Sequence, residues 1–536
     1  MKKGKVTALL LTAIMGLSAP VGAQAAPSYQ EAEKAALAKT LEAFISNYSQ
    51  QYSNYPTTAM TEMSLELHDA GRSFLGFMTP HDVSWLNDLS ISADVGFDDS
   101  QLAETMDFLL NGSKICTMEI YLDSETLDTY VRIPQLADGY LKSTMEQTMG
   151  QIEETESAMD SHEDVSEDEM LFALQTQAFL SDYMKALPRL NEFLPKPEAL
   201  NTILDRYASI LIDHTQETES GTDSLTVEHI SQECTTLDAT LTQEEASAAS
   251  DEILSAASKD EELKAFIQGL EALSPQSGIS YDGFLEQIDS LRASLAENNT
   301  EDGPYIASKI WLDAQEQIVG RQFSMNDGEG EVPLITWKAP SAGDASGCYL
   351  QLNTDDQIFE ISGTGVTAGQ KLKGTYEFSY NGQAVASVDV ADYDAQAMEE
   401  GAFSGTYEFR LLPGIGEEAY ASLGSFGFSA VLSGDQTDAF CALTLTSSQA
   451  PMATLSISST SGSGSVEFVD FDTLDKVYDT STEEGLAAFQ EDMHPDTIME
   501  NLTAAGMPQS FLEDLMSGGA EPAYYEEAYT EEAPIS

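Results

Sequence analysis

The residues best suited to acid–base chemistry or metal binding near neutral pH are the six histidines. They are His68, His81, His162, His214, His229 and His494. Two of them precede an aspartate in neighbouring predicted loops, as His68-Asp69 and His81-Asp82, and such pairs could contribute to a metal site. However, loop histidines are usually solvated, and the chain has no HExxH motif. We therefore predict no metal-binding residues.

Motifs for covalent or phosphate chemistry are also missing from the sequence. There is no G-x-S-x-G motif of a serine hydrolase. The segment GTGVTAGQKLKGT lacks the Gly-Lys-Ser/Thr of a phosphate loop and precedes a predicted strand. A calcium loop ending its turn at Gly328 would need ligands at Phe323 and Met325, which cannot bind calcium. We predict no catalytic or cofactor-binding residue and a protein that is not an enzyme; the sequence assigns no ligand-binding residue.

The four cysteines, Cys116, Cys234, Cys348 and Cys441, each lie in a strand-like run. Cys116 shares a strand face with Met118, Ile120 and Leu122, which is typical of a buried, unpaired thiol. In an exported chain the same cysteines could form disulfides, and the sequence leaves both readings open. No CxxC spacing occurs, which disfavours zinc.

The composition is strongly acidic. The chain has 91 acidic residues against 23 lysines and arginines, and a formal net charge of −68 at pH 7. Such a charge repels nucleic acid phosphates and anionic lipid surfaces, so neither is an expected partner. Carboxylate pairs are too abundant to indicate glycosidase chemistry.

The N-terminal segment has the features of a secretory signal. Three lysines precede the apolar run Val6 to Ala19, and Ala23-Gln24-Ala25 is typical of a cleavage site before Ala26. Cleavage would leave a net charge of 20 − 91 = −71. We expect a secreted or extracytoplasmic protein without a further membrane-spanning segment; an uncleaved membrane anchor is the alternative.

The elements that would position any site begin with a predicted helix from Tyr29 to Tyr52. Predicted strands follow near residues 57–68, 88–97, 103–122 and 126–134. The dipeptide Asn111-Gly112 predicts a tight hairpin turn within the third. An acidic stretch from Gln151 to Glu169 indicates a solvated linker, and helical periodicity continues to about His214.

The next region alternates between strand-like and helix-like sequence periodicity. A predicted strand, VEHISQECTTLDATL, leads into a helix capped by Thr242 and Glu245 that continues to Leu270. A second helix is predicted near 281–295, followed by a strand hairpin that turns at residues 314–317.

From Gly347 to about Phe471 the pattern is almost purely β, and it contains GTYEF twice, at Gly374–Phe378 and Gly405–Phe409. In both copies the aromatic residues alternate with polar ones, which predicts two similarly placed antiparallel strands with one solvent-exposed face. No third copy continues the 31-residue spacing, which disfavours a repeat fold. Burial of each aromatic side chain would contribute roughly 1.5–3 kcal/mol, so we interpret them as core. An exposed aromatic binding face is the alternative.

The last region is predicted to be helical again. Ser481 with Glu484, and Ser510 with Glu513, have the spacing of capping boxes, and Pro495 opens a helix between them. The complete predicted organisation is a signal peptide (1–25), a helix-plus-antiparallel-sheet domain (26–340) with a helical insert at about 143–215, a β-rich antiparallel region (341–471), C-terminal helices (472–519) and a disordered acidic tail (520–536).

Three stretches carry a resemblance to known proteins: LDTYVRIPQLADGYLK, SQECTTLDATLTQEEASAASDEILSAASKDEELKAFI and KIWLDAQEQIVGRQF. They resemble large exported proteins of low-GC Gram-positive bacteria that carry a domain of unknown function. The order of elements over residues 30–340 is similar to the LolA/LppX-like lipoprotein-carrier architecture, a curved antiparallel sheet closed by helices. The expected fold class is α+β.

This resemblance implies a non-enzymatic envelope protein that binds an apolar or lipid-like ligand on its curved sheet, or another envelope protein. Apolar side chains expected to line that sheet include Met118, Ile120 and Leu122 on one strand and Ile310 and Leu312 on another. The alternatives are a cell-surface structural or adhesion-type protein without a small ligand, and a secreted hydrolase.

Overall fold

A computed structural model describes the chain in residues 27–54, 58–78, 82–98, 100–144, 192–273, 279–297, 305–326, 330–354, 357–399, 402–416, 420–421, 425–435 and 437–516. In these residues the protein is α+β, with 21 strands joined in one mostly antiparallel sheet. The predicted signal peptide, the acidic stretch 151–169 and the acidic tail lie outside the described residues.

Helices occur mainly at the two ends of the sheet. In the described residues they are α1 (Tyr29–Asn54), α2 (Asp69–Met78), α3 (Pro197–Asp213), α4 (Gln243–Ala257), α5 (Glu261–Leu273), α6 (Tyr281–Glu297), α7 (Ala395–Glu399), α8 (Glu483–Asp492), α9 (Asp496–Ala504) and α10 (Gln509–Met516).

The strands are mostly eight to twelve residues long. They are β1 (Ala59–Leu67), β2 (Asp88–Phe97), β3 (Gln101–Leu110), β4 (Ser113–Asp123), β5 (Thr129–Arg132), β6 (Tyr140–Ser143), β7 (Gln216–Val227), β8 (Ile230–Leu241), β9 (Tyr305–Leu312), β10 (Ile318–Asn326), β11 (Glu331–Lys338), β12 (Ser341–Ala342), β13 (Ala345–Thr354), β14 (Gln357–Ala368), β15 (Lys371–Tyr380), β16 (Gln383–Asp394), β17 (Phe403–Leu411), β18 (Phe426–Gly434), β19 (Asp438–Ser447), β20 (Ala450–Ser461) and β21 (Val477–Asp479).

The strand order is set mainly by pairings between strands that follow one another in the chain, together with two long-range pairings. Strands β7 to β20 follow one another across the sheet, with β12 beside β13. Strand β20 then pairs with β1, and β1 to β6 continue the sheet to β21, which pairs parallel to β6. Hydrogen bonds therefore cross both boundaries of the predicted β-rich region.

Residues directly opposite each other in these ladders lie on the same side of the sheet, which defines two faces. Face A carries the aromatic residues of both GTYEF copies, and face B carries the polar residues that alternate with them. The two copies lie in β15 and β17, on either side of β16: Val388 of β16 pairs with Tyr376 and with Phe409. The predicted strand phase is confirmed.

The predicted tight turn at Asn111-Gly112 is also confirmed, and Asn381-Gly382 forms a second turn of the same kind. Asn111 and Gly112 have φ of 51° and 72°, and Asn381 and Gly382 have φ of 49° and 76°. Two consecutive residues with positive φ match the right-handed twist of a hairpin, which is why Asn-Gly is preferred there.

The β7 end of the sheet is covered on both faces. On face A, the first turns of α1 pack on the sheet, with Tyr29, Leu237, Ile310 and Leu312 in one buried cluster. On face B, β7 folds back, so that Leu225, Cys234 and Trp311 form a second cluster. Helices α3 and α4 extend this end through contacts of α3 with α1 and with Leu241.

Strand β7 was not predicted from the sequence. Its residues QETESGTDSLTV are polar, and all but Leu225 and Val227 are exposed. An edge strand pairs on one side only and can carry charges that would disfavour it inside a sheet, so its sequence lacks the apolar alternation of β8.

The helix predicted from Thr242 to Leu270 is two helices. The predicted capping box is present, since the Thr242 and Glu245 side chains each bond the other's backbone N–H. The chain then breaks before α5, where the carboxylate of Asp260 accepts hydrogen bonds from the N–H groups of Glu262 and Leu263, both at 3.1 Å. A side chain that satisfies these first N–H groups starts a new helix.

At the other end, residues 463–476 cross face B of β3 to β6, where Val466 and Phe471 pack against Tyr121 and Tyr130. Helix α9 packs beside Leu110 and Ile115. The predicted N-cap Ser481 is wrong: Thr482 caps α8 by accepting from the N–H of Gly485, and the Ser481 hydroxyl instead bonds Asp479.

The other two C-terminal predictions have different outcomes. Pro495 opens α9 as predicted, and the chain reverses at Gly506 with φ of 99°. The predicted capping box at Ser510 is wrong, because α10 already begins at Gln509.

Replacing Gly71 of α2 with alanine is expected to lower the free energy of unfolding by about 1–3 kcal/mol, because a buried backbone contact leaves no room for a methyl group. A Cβ there would lie 2.1 Å from the carbonyl oxygen of Met452 in β20. The matched control is Gly76→Ala in the same helix, where the nearest atom would be Val83 Cγ2 at 3.9 Å. That change should be neutral or stabilising by up to about 1 kcal/mol. Urea unfolding followed by circular dichroism checks both; equal effects would contradict the packing of α2 on β20.

Candidate apolar binding face

The most extensive candidate site is the part of face A formed by β13 to β20 and β1 to β4, which we call the apolar face. Val388, Val390, Leu67 and Leu110 are buried on it, but most of its other large hydrophobic side chains are only half-buried, and nine of them have exposed fractions between 36% and 47%. These nine are Leu352, Phe359, Tyr380, Phe428, Leu443, Leu445, Ile457, Met63 and Leu89. No helix in the described part of the chain places a buried cluster on them. Apolar side chains that remain this exposed over many strands are typical of a binding surface.

The GTYEF copies show how the sequence builds this face. In each copy the tyrosine ring folds over the glycine two residues before it. A Cβ on Gly405 would lie 2.9 Å from the Tyr407 ring, and one on Gly374 would lie 2.9 Å from the Tyr376 hydroxyl. Glycine has no side chain that would collide with the ring, so the ring can lie along the sheet. There it covers the backbone of the glycine, which has no side chain of its own to shield it. The repeat thus has a packing explanation.

Aromatic rings cover the middle of the apolar face. Phe409 and Phe428 stack across neighbouring strands, with centroids 4.4 Å apart and planes 17° from parallel. Phe359 and Tyr380 form a second cross-strand pair at 5.1 Å. Burial raises the pKa of the Tyr376 hydroxyl to about 12, which keeps it neutral at physiological pH. The predicted core aromatics therefore pack with one another laterally and are only partly buried.

Charge is nearly absent from the apolar face. Among its positions paired in register, Glu104 is the one carboxylate, and none is lysine or arginine. Face B of the same strands is mainly polar, although Ile358, Val366, Val431 and Phe440 are exposed on it. There Asp389 accepts from Thr375 and from Arg410, each at 2.6 Å. The hydrogen bond from Thr375, followed by that from Arg410, lowers the pKa of the Asp389 carboxyl. The two sides of this single sheet thus differ as strongly as the two sides of an amphipathic helix.

The five side chains expected to line a sheet cavity all lie on face A, but in two different environments. Ile310 and Leu312 are fully buried beneath α1. Met118, Ile120 and Leu122 lie on β4 at the far end of the apolar face and are half-buried. The structure does not bring the two groups together, because ten or more strands separate β9 from β4 in the sheet.

Three of the four cysteines lie on the apolar face: Cys348 on β13, Cys441 on β19 and Cys116 on β4. All four are free thiols, and Cys234 is buried on face B beside Leu225 and Trp311. Burial raises the pKa of the Cys348 thiol, and burial followed by the nearby Asp107 carboxylate raises that of Cys116. Thiols with raised pKa values have the apolar surroundings that the sequence predicted.

The four histidines that the structure describes do not converge on a site. His68 bonds the Thr454 hydroxyl at 2.8 Å, and His214 lies 2.9 Å from a Glu252 carboxylate oxygen. His494 contacts the Leu136 carbonyl oxygen, whereas His229 is exposed at the turn between β7 and β8. His81 and His162 lie outside the described residues. No group of three or more metal-ligating side chains occurs in the residues that the structure describes.

A separate cleft of about 620 Å³ lies on face B between the β7–β8 turn and β14 to β17. Its lining includes His229, Lys373, Asp389 and Glu408. Arg410 bonds both of these carboxylates, Glu408 at 3.1 Å. Because both carboxylates are already paired with Arg410, we assign no site to the cleft.

Comparison of the chain with models of known protein families, and with curated protein sequences, gives no match. In the residues that the structure describes, no helix combines the length and hydropathy that crossing a membrane requires.

Sequence reasoning found the alternation of individual strands but missed the extent of the surface they form together. The signal was present in every strand, since β18, β19, β20, β1 and β2 each alternate apolar and polar residues. What it did not contain is the pairing of β20 with β1, which joins two half-surfaces into one.

Proposed function

We propose that the protein is a non-enzymatic extracytoplasmic binding or carrier protein whose apolar face holds the acyl chains of a lipid. The observation that carries the proposal is the apolar face itself, which extends over twelve paired strands with half-exposed hydrophobic side chains. Export through cleavage before Ala26 belongs to the same proposal, as does a LolA/LppX-like use of one sheet face. The placement of α1 on face A at one end supports that likeness.

Hydrocarbon is the ligand chemistry that fits this surface. A buried methylene contributes about 0.8 kcal/mol, so ten methylenes contribute about 8 kcal/mol. Ordering a ligand costs about 4–15 kcal/mol, so a lipid with two acyl chains is favoured over one with a single chain. With no lysine or arginine paired on the face and a net charge of −68, a zwitterionic head group is favoured over an anionic one.

The test is titration with a fluorescent phosphatidylcholine probe and competition by the unlabelled lipid. We expect saturable binding that is insensitive to chelators, since the proposal involves no metal. Phe409→Asp should weaken binding at least tenfold, because it places a charge among the stacked rings. It should cost only about 1–2 kcal/mol of folding stability, since the ring is half-buried.

The matched control is Glu377→Lys, which changes an exposed residue of face B on β15 and should leave probe affinity within twofold. Equal binding by both variants would contradict a site on the apolar face. Failure of the unaltered protein to bind the probe saturably would reject the carrier function and favour a structural role.

A further inference from the structure

We infer that the apolar face holds at least two diacyl lipid molecules at once, in a row that crosses the strands. The inference rests on the proposed function and adds the number and arrangement of the ligands.

The apolar face is long in the direction that crosses the strands. From β13 to β4 it comprises twelve strands and eleven spacings. At about 4.8 Å per spacing, the path along the face is about 53 Å. The hydrocarbon core of a bilayer is about 30 Å thick, so one leaflet of acyl chains spans about 15 Å. A single lipid therefore covers about a third of the path.

The apolar face is also continuous from strand to strand. One row of directly paired side chains runs through Tyr407, Ala430, Leu443, Leu455, Leu65 and Leu89. It has no charged member, and the hydroxyl of Tyr407, at one end of these six residues, is its one polar group. The row crosses the β20–β1 pair, where the early and late parts of the chain meet. No charge or polar ridge on this row separates one acyl position from the next, so the face offers consecutive equivalent positions.

Lipid fits the apolar face better than a second copy of the chain does. A second copy of the chain could in principle cover the same surface, but both copies would carry a net charge of −68 and repel each other. Protein interfaces also have a polar rim with about one hydrogen bond per 100–200 Å², whereas the paired positions of this face offer few donors or acceptors. Hydrocarbon chains need neither, which favours lipid.

The native cysteines provide the test, because each reports on a different third of the apolar face. Six spacings separate Cys348 from Cys441, about 29 Å, and five separate Cys441 from Cys116, about 24 Å. Both distances exceed the 15 Å span of one acyl layer. The three thiols are partly exposed, and the buried Cys234 serves as an internal control.

The experiment loads the full chain from phosphatidylcholine vesicles, counts lipids per chain by native mass spectrometry, and measures the reaction of each thiol with a charged maleimide by peptide mapping. We expect two or more lipids per chain and at least tenfold slower labelling of at least two of the three partly exposed thiols, with Cys234 unreactive throughout. One lipid per chain with one thiol protected would overturn the inference and leave the proposed function standing. No bound lipid would overturn both.

A dimer whose thiols are protected without lipid would also overturn both proposals, and size-exclusion chromatography detects it. A barrier variant adds an independent readout. Ile457→Glu places a charge at mid-face on β20, where the side chain is 37% exposed, and should remove at least one lipid per chain without abolishing binding. Ser456→Glu, the neighbouring residue on face B, should leave the count unchanged; equal counts for the two variants would overturn the inference.

Discussion

Replacing Arg321 with methionine is expected to lower the free energy of unfolding by about 3–5 kcal/mol, because it leaves the buried carboxylate of Glu33 without its partner. The two side chains are 7% and 2% exposed and form a bidentate pair, with Nη1–Oε1 and Nη2–Oε2 distances of 2.6 and 2.9 Å. This pair fixes α1 on face A of β10. Urea unfolding followed by circular dichroism and tryptophan fluorescence measures the effect.

Two comparisons isolate the buried charge as the cause. Lys34→Met removes a neighbouring ion pair of α1 with Asp213 that is about half exposed, and should cost less than about 1 kcal/mol. The double variant Glu33→Leu with Arg321→Met should recover most of the lost stability, since replacing both members of a buried pair with apolar groups is often neutral. A single variant Arg321→Met as stable as Lys34→Met would show that water reaches the pair.

Replacing Asp260 with alanine is expected to cost about 3 kcal/mol at neutral pH and to reduce the loss of stability in acid. Its fully buried carboxylate bonds Arg206, accepts from the Tyr207 hydroxyl at 2.7 Å, and starts α5. Removing it leaves several donors without an acceptor.

The acid dependence follows from the pKa of this carboxyl group. Burial alone would raise the pKa, but the hydrogen bonds from Tyr207, the Leu263 N–H and Arg206 outweigh burial and lower it. A pKa lowered in the folded state means that the unfolded chain binds more protons in acid. The stability contribution is therefore fully present above about pH 5 and is lost as the pH falls through the lowered pKa.

The measurement is the urea midpoint between pH 7 and pH 2.5 for the unaltered protein and Asp260→Ala, whose difference should shrink towards low pH. Asp251→Ala, which removes an exposed pair with Arg292, is the control and should be indistinguishable from the unaltered protein at neutral pH. A difference that stays constant with pH would show that folding does not shift the pKa of Asp260.

The sequence predicted local structure well wherever the determining interactions are local. The period-two alternation, the Asn-Gly turns and the Thr242–Glu245 capping box depend on residues within a few positions of one another. The α+β class and the antiparallel strands followed from these patterns. The break before α5 was missed because Asp260 looks like any other surface acid among many, and its partners Arg206 and Tyr207 lie more than fifty residues earlier.

The candidate site was less predictable because it depends on long-range pairing. Cys116 and Cys441 each showed an apolar neighbourhood in the sequence, yet nothing local indicated that both lie on one surface. The ion pair of Glu33 with Arg321 joins residues 288 apart and likewise left no local signal. Partial burial could not be read from alternation either, since a covered sheet face and an open one have the same period.

The pairing of β20 with β1 also determines when the two halves of the apolar face can join. Leu65 and Leu455 are direct neighbours although 390 residues separate them in the chain. During synthesis, β1 therefore emerges long before β20, and until then the edge of β1 that pairs with β20 has no hydrogen-bonding partner. Closing a loop of this length makes the pairing of β20 with β1 slow. Until it forms, the unpaired edge of β1 can pair with strands of other chains. The centre of the apolar face therefore cannot form until β20 has been synthesised, and a chaperone that protects unpaired strand edges would act at β1.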